Sequence, residues 1–204
     1  MPRDKTASHI QVVAAMRAEF LEKGFENASV RSIAARAGMS AAGLYRHYKN
    51  KEDMFDALMQ PLIDEINEWL NHHRSTKYDL VDTGSADKKM LFGESFIDLV
   101  KDVLYPKREE FKLLIRGARG TKYENFIHQF VQEQQKDMTK AFEYMKAHGY
   151  CVKVPIQEEL HMLLSAYITA VFEPIVHGYS QSKMVHLDTI SRFFMPGWMD
   201  IMGL

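Results

Sequence analysis

The chain has 204 residues, 46% hydrophobic and 26% charged, which is the composition of an ordinary globular protein. No stretch approaches the roughly 20 consecutive apolar residues of a membrane span, and the first residues do not resemble a signal peptide. The single cysteine, Cys151, excludes an internal disulfide. We therefore expect a cytoplasmic protein.

The net charge of −1 hides an uneven distribution along the chain. Residues 1–51 contain nine Lys and Arg and only four Asp and Glu, a net charge of +5, and the remaining residues carry −6. A basic N-terminal segment followed by an acidic remainder indicates that the N-terminal segment binds a polyanion such as DNA.

Helical periodicity dominates the sequence, and no alternating strand pattern stands out. A first helix is predicted from an N-cap at Ser8 to Gly24, because glycine accepts the left-handed conformation that ends helices. The apolar residues that predict its buried face are Ile10, Val13, Ala14, Phe20 and Leu21.

Two short helices and the start of a fourth follow. Ser29 is the candidate cap of the second helix, Ser40 caps a third that reaches Tyr48, and Asn50 caps the fourth with Asp53 at its third position. The apolar face of the second helix is Val30, Ile33, Ala34 and Ala37.

The rest of the chain is predicted as helices separated by turns. The fourth helix runs to Leu70 with a kink at Pro61, and residues 74–88 form a polar linker. Pro196-Gly197 is expected to end or bend the last helix. The further helices cover 88–105, 107–118, 122–148, 156–177 and 184–195.

A short helix, a glycine-containing turn and a second short helix predict a DNA-binding helix-turn-helix. On a helical wheel Leu44 and Tyr48 fall together and anchor the third helix on the first two. Ala42 and Arg46 then point outward, a face suited to entering a DNA groove.

Three runs of the sequence resemble a known family: Ala15–Phe25, Ser29–Ser40 and Leu44–Glu52. They are similar to the first helix, the second helix with its turn, and the most recognisable run of TetR-family regulators, over about residues 9–60. The resemblance implies an all-α fold with a three-helix helix-turn-helix head, residues 1–50. The larger part, residues 51–204, is then a helical effector-binding and dimerisation domain that the fourth helix, from residue 51, connects to the head.

The resemblance also implies site residues. Arg31 reaches a base or phosphate, Tyr45 fixes the helix against the DNA backbone, and Lys51 clamps a phosphate beside the N-terminus of the fourth helix. The full predicted DNA-binding set is Arg31, Ser40, Ala41, Ala42, Gly43, Tyr45, Arg46, His47, Lys49 and Lys51. Many relatives have a polar residue where this chain has Ala41-Ala42-Gly43, so specificity is expected to rely on the two arginines, methyl contacts and DNA shape.

Members of the family hold a small-molecule pocket among the middle helices and dimerise through the last two long ones. The candidate effector-binding residues are Trp69, Phe92, Phe96, Phe111, Arg116, Tyr123, Phe126, Phe142 and Tyr167. The candidate dimer-interface residues are Leu160, Leu163, Leu164, Tyr167, Val171, Ile190 and Phe194. Most of these side chains would serve equally in an ordinary helical core.

The leading hypothesis is a sequence-specific regulator on pseudo-palindromic operator DNA, a homodimeric repressor released by a small-molecule effector. An alternative is a DNA-bound interaction protein whose C-terminal domain binds a protein partner, and activation in place of repression also stays open. An enzyme on a helical scaffold is the third hypothesis, but no phosphate loop or nucleophile elbow occurs. The nine histidines are scattered, so we expect no metal site. We also expect no cofactor and no catalysis.

Overall fold

The computed structural model describes residues 5–84, 95–150, 152–180, 182 and 186–203, with the side chains of residues 5–8 and 95 left out. This part of the chain is helical and contains no strand, which confirms the all-α fold. The helices are α1 Lys5–Asn27, α2 Val30–Arg36, α3 Ala41–Leu44, α4 Lys51–Asp82, α5 Ser95–Leu99 with a π-helical turn Val100–Leu104, α6 Arg108–Arg116, α7 Phe126–Ala147, α8 Gln157–Val176 and α9 Leu187–Met202.

The described residues divide into two compact units. The first contains the residues up to Asp64 together with Lys107–Asn125, and the second contains Glu65–Pro106 and the residues from Phe126 onward. Helix α4 therefore contributes to both units. The domain boundary predicted at residue 50 falls inside the first unit, which also takes in α6 from the middle of the chain.

The buried face of α1 differs from the predicted one. Ile10 is 62% exposed and Leu21 is 37% exposed, so neither belongs to the core. The residues that α1 buries, three and four positions apart, are Val12, Ala15, Met16, Glu19 and Phe20. The prediction failed because the buried stripe includes a charged residue, Glu19, and so does not follow the apolar pattern. Helix α1 also begins at Lys5, so Ser8 lies inside it and is not its N-cap.

A close backbone contact at Gly24 and Gly117 and a cluster of aromatic rings hold the first unit together. Gly24 has φ 68° and ψ 173°, a positive-φ conformation open to glycine but not the left-handed helical one predicted, and the Phe25 amide after it donates to the Gly117 carbonyl at 2.7 Å. A Cβ added at Gly117 would lie 2.5 Å from Leu113 Cδ1, so a larger residue there would force the Leu113 side chain to shift. Phe55 packs edge-on against Phe20 and Phe25, with ring centroids 5.1 and 5.4 Å apart.

Helix α4 is longer than predicted. It continues through Pro61 and on to Asp82, so most of the segment predicted as a linker is helical. Its polar composition suggested a linker, but Arg74, Lys77, Tyr78 and Val81 follow the three- and four-residue spacing of one helix face.

The second unit is built around α8. This helix has 20 residues and a mean hydropathy of 1.2, long and apolar enough by those two measures to cross a membrane. Its apolar residues instead form a core: those buried within the unit are Leu160, Leu164, Tyr167, Ile168, Val171, Phe172, Pro174 and Ile175.

The last helix is also longer than predicted. Helix α9 runs through Pro196 and Gly197 to Met202 and ends at Gly203, whose φ of 70° gives a left-handed C-cap. Helices α6, α7 and α8 lie within a few residues of their predicted ranges. Cys151 and residues 85–94, where another helix was expected to begin, lie outside the described residues.

Candidate nucleic-acid interface and ligand cavity

Local capping chemistry defines the short helix α3. The Ser40 hydroxyl accepts a hydrogen bond from the Gly43 amide at 3.1 Å, as predicted for its N-cap. Leu44 is fully buried and Tyr48 is buried, as predicted. Helix α3 ends at Leu44, however, and does not reach Tyr48 as predicted, because residues 45–47 form a turn. The Asn50 side chain accepts from the Asp53 amide at 2.7 Å, and Asp53 accepts from the Lys49 amide at 2.9 Å. These bonds fix the starts of both α3 and α4.

A buried carboxylate holds α1 and α2 together. Glu19 is fully buried, and it accepts hydrogen bonds from Lys23 at 2.8 Å, the Ser29 amide at 3.2 Å and the Ser32 hydroxyl at 2.6 Å. Arg36 Nε also lies 3.2 Å from it. Burial opposes ionisation of this carboxyl, but the hydrogen bonds and the Lys23 charge outweigh it and lower its pKa to about 2. Sequence reasoning missed this role, because a glutamate on a helix is usually solvated.

The exposed surface of the helix-turn-helix presents cations that the unit itself does not neutralise. Arg31, Arg46 and Lys49 are exposed, and their side chains make no hydrogen bond or ion pair with any described residue. In contrast, Arg17 pairs with Glu110 and Arg36 pairs with Glu22. The further predicted residues that lie exposed on this segment are Ser40, Ala42, Tyr45 and His47, with Ala41 partly exposed.

Gly43 and Lys51 are not placed as expected. Gly43 is buried and its amide already bonds Ser40, so it offers no surface to a base edge. The Lys51 ammonium donates to the carbonyls of Phe25, Glu26 and Ala28 at 2.7, 3.1 and 3.2 Å. It also lies 4.5 Å from the centre of the Phe25 ring. All three of its N–H donors therefore bond carbonyls at the end of α1, which gives Lys51 a structural role in this unit.

The second unit contains a cavity of about 160 Å³. It lies among α4, α5, α7, α8 and α9, and its lining is mainly aromatic and methionine side chains. The aromatic lining residues are Trp69, Tyr78, Phe96, Phe142, Tyr167 and Trp198, and the methionines are Met138, Met145, Met195 and Met202. Such a lining suits an apolar molecule, because methionine adapts to irregular shapes.

Three charged side chains also line the cavity: Arg74, Lys77 and Asp137. Arg74 and Asp137 form an ion pair from α4 to α7 at 2.5 Å. Lys77 is partly buried, and it makes no hydrogen bond or ion pair within the described residues. Burial is the cause that lowers the pKa of its ammonium below the ordinary value of 10.5.

The comparisons with known proteins agree with this geometry. The family model described as "Bacterial regulatory proteins, tetR family" matches residues 12–58. The HTH-type transcriptional dual regulator CecR of Shigella flexneri is 40% identical over 157 residues, which is 77% of this chain and 63% of that protein. Residues 12–58 of this chain are therefore a helix-turn-helix segment of the tetR-family type.

Two further relatives extend the likeness. The HTH-type transcriptional repressor KstR2 of Mycobacterium tuberculosis is 38% identical over 55 residues, 27% of this chain and 26% of that protein. The matches thus span less than two thirds of the length of these curated relatives. The crystal structure of NalD, the secondary repressor of the MexAB-OprM multidrug efflux pump in Pseudomonas aeruginosa, shares the fold. Its TM-score is 0.61 at 19% identity, over 95% of this chain and 97% of NalD.

Four of the predicted effector residues line the cavity: Trp69, Phe96, Phe142 and Tyr167. Phe111, Arg116 and Tyr123 belong to the first unit, and Phe126 stacks on Phe130 at 5.8 Å without lining the cavity. Phe92 lies outside the described residues. Arg74, Lys77 and Tyr78 were missed because their segment was taken for a linker, although their helical spacing was visible in the sequence.

The predicted dimer residues are mostly internal. Leu160, Leu164, Tyr167 and Val171 are buried within the second unit of the single chain, while Leu163, Ile190 and Phe194 are partly exposed. Helices α8 and α9 expose a different apolar set: Met162 is 63% exposed, Phe193 78% and Ile201 37%. Phe193, Gly197 and Ile201 are four residues apart, so they share one face of α9.

Proposed function

We propose that this chain is a sequence-specific DNA-binding transcriptional regulator, a repressor that a small-molecule effector releases from its operator. One observation carries the DNA-binding part: Arg31, Arg46 and Lys49 are exposed on the helix-turn-helix and have no partner among the described residues. Unpaired cations beside a short, small-residue helix suit a major groove lined by phosphates. The proposed place of action is the cytoplasm, on the nucleoid.

Within this proposal the exposed cations have different roles in DNA recognition. Arg46 lies in the turn that follows α3 and is exposed, as is the small residue Ala42 on that helix, so its guanidinium reads a guanine edge. Arg31 and Lys49 flank it and hold phosphates, and the Tyr45 hydroxyl, on a side chain 52% exposed, joins them. Ala42 offers only a methyl group, which suits a thymine methyl.

The test of this function is selection of binding sites from random duplex DNA by the full chain at two salt concentrations. We expect enrichment of a pseudo-palindrome whose half-sites lie about one helical turn apart, with affinity falling steeply as salt rises. Folded protein that enriches no sequence at either salt would refute the proposed function.

The cavity supports a small-molecule effector over a protein partner. A domain that only docks a protein needs a solid core and an exposed apolar patch, whereas the second unit encloses a cavity of about 160 Å³ lined by aromatic rings. The relatives' names include both a dual regulator and a repressor, and repression is the form proposed for this chain.

A homodimer through α8 and α9 completes the proposal. Apolar side chains as exposed as Met162 and Phe193 on neighbouring faces are typical of an interface. Phe193→Asp should convert the dimer to monomer in analytical ultracentrifugation, because it places a charge in the interface centre. Ile10→Asp is the matched control, since Ile10 is 62% exposed in the first unit, and it should leave the dimer intact. Equal effects of the two changes would contradict an α8–α9 interface.

A further inference from the structure

The size of the cavity limits what it holds. An apolar cavity of about 150 Å³ accommodates a benzene ring, and the cavity here measures about 160 Å³. Six aromatic rings and four methionines line it, so the enclosed part of a ligand is apolar. The occupant therefore has a body of about one aromatic ring.

The charged side chains of the lining determine which charge the ligand carries. Asp137 is already neutralised by Arg74 through the 2.5 Å ion pair. Lys77 has no such partner among the described residues, and burial is the cause that lowers the pKa of its ammonium. Among the described residues that line the cavity, Lys77 is therefore the cation without a counter-charge.

We propose that the effector of this cavity is a compact monoanionic organic acid, one carboxylate on a body the size of a single aromatic ring, bound with the carboxylate against Lys77. The inference rests on the proposed effector-controlled function and names the chemical class of the effector. A carboxylate gives the Lys77 ammonium charge-assisted hydrogen bonds that nothing in the empty lining supplies. The ring packs among Phe96, Phe142 and Tyr167.

Other ligand classes fit the lining less well. A cation would face Lys77 and Arg74, and Asp137, the one carboxylate among the described lining residues, is already paired. A neutral ligand would bury Lys77 further and leave it without a counter-charge, which costs free energy. A dianion would bring two negative charges, and Lys77 is the one cation without a counter-charge among the described lining residues.

The test compares three probes of one size on the full chain: benzoate, benzamide and benzylamine. Their binding is measured by calorimetry and by the rise in unfolding temperature that ligand binding causes. We expect benzoate to bind about tenfold or more tightly than benzamide, and benzylamine not to bind, because a charged hydrogen bond is stronger than a neutral one.

Lys77→Met should reduce benzoate affinity by about tenfold or more and leave benzamide affinity unchanged. Lys77→Arg keeps the charge and should retain most benzoate binding, and Lys146→Met removes an exposed charge of the same unit as the control. Unfolding curves of each variant verify that it folds.

Equal affinity for benzoate and benzamide, or a Lys77→Met variant that still prefers benzoate, would overturn the proposal. Operator binding by the wild-type chain, measured without any probe, tests the proposed function separately. A chain that selects an operator but does not prefer benzoate would be consistent with the proposed regulator. It would refute the proposal that the effector is an organic acid.

Discussion

Replacing Glu19 by glutamine tests whether a buried carboxylate holds the DNA-binding unit together. The change keeps the shape of the side chain and removes the charge that Lys23, Ser32 and Arg36 surround. A pKa lowered from 4.5 to about 2 corresponds to at most about 3 kcal/mol of stability at neutral pH. Because the Lys23 and Arg36 side chains are 36% and 39% exposed, solvent screens part of it. We expect Glu19→Gln to lower the free energy of unfolding by about 2 kcal/mol, or the unfolding temperature by about 4–8 °C.

The lowered pKa of Glu19 also predicts how the stability difference between wild type and Glu19→Gln changes with pH. The folded-state pKa of Glu19 is lowered, so its contribution is complete above pH 4.5 and is lost as pH falls towards about 2. Between pH 6 and pH 4 the gap in unfolding free energy between wild type and Glu19→Gln should shrink by about 1 kcal/mol in urea titrations. Glu22→Gln is the matched control: Glu22 is 55% exposed and pairs only with Arg36, so about 0.5 kcal/mol or less is expected. A Glu19→Gln loss no larger than that of the control, or a gap that stays constant with pH, would refute the reasoning.

Two further substitutions test the packing of the first unit. Gly117→Ala should lower the free energy of unfolding by about 1–2 kcal/mol, because the new Cβ would lie 2.5 Å from Leu113 Cδ1 and 3.1 Å from the Leu113 carbonyl oxygen. Lys51→Met should cost about 1–3 kcal/mol in urea unfolding, because three carbonyls lose their donor. Lys49→Met should leave stability unchanged and weaken DNA binding; the reverse pattern for these two lysines would show that Lys51 is the phosphate clamp.

Local chemistry made part of the fold predictable from sequence. Ser40 and Asn50 are caps whose side chains bond amides three residues on, so no distant contact is needed to place the starts of α3 and α4. The burial of Leu44 and Tyr48 was also predicted, although Tyr48 lies beyond the end of α3 and not on it.

Tertiary contacts decided the features that the sequence did not reveal. Burial of Glu19 depends on donors from α2, and Lys51 finds its partners 23 to 26 residues earlier in the chain. The polar segment from Arg74 to Asp82 stays helical although its composition resembles a linker, because one of its faces lines the cavity. Apolar residues on α8 were predicted as interface, but a core helix and an interface helix share one composition, and only the fold separates Leu160 from Met162.

The most direct test of the account is the affinity of an operator selected from random DNA for wild type, Arg46→Ala and the control Lys146→Ala, across a salt series. We predict that wild-type affinity falls with salt by a slope of about −0.9 per phosphate neutralised. Arg46→Ala should lose about 1–3 kcal/mol of discrimination at one base of each half-site, while Lys146→Ala behaves as wild type. Identical sequence preference in Arg46→Ala and Lys146→Ala would contradict a regulator that reads DNA through the exposed face of α3.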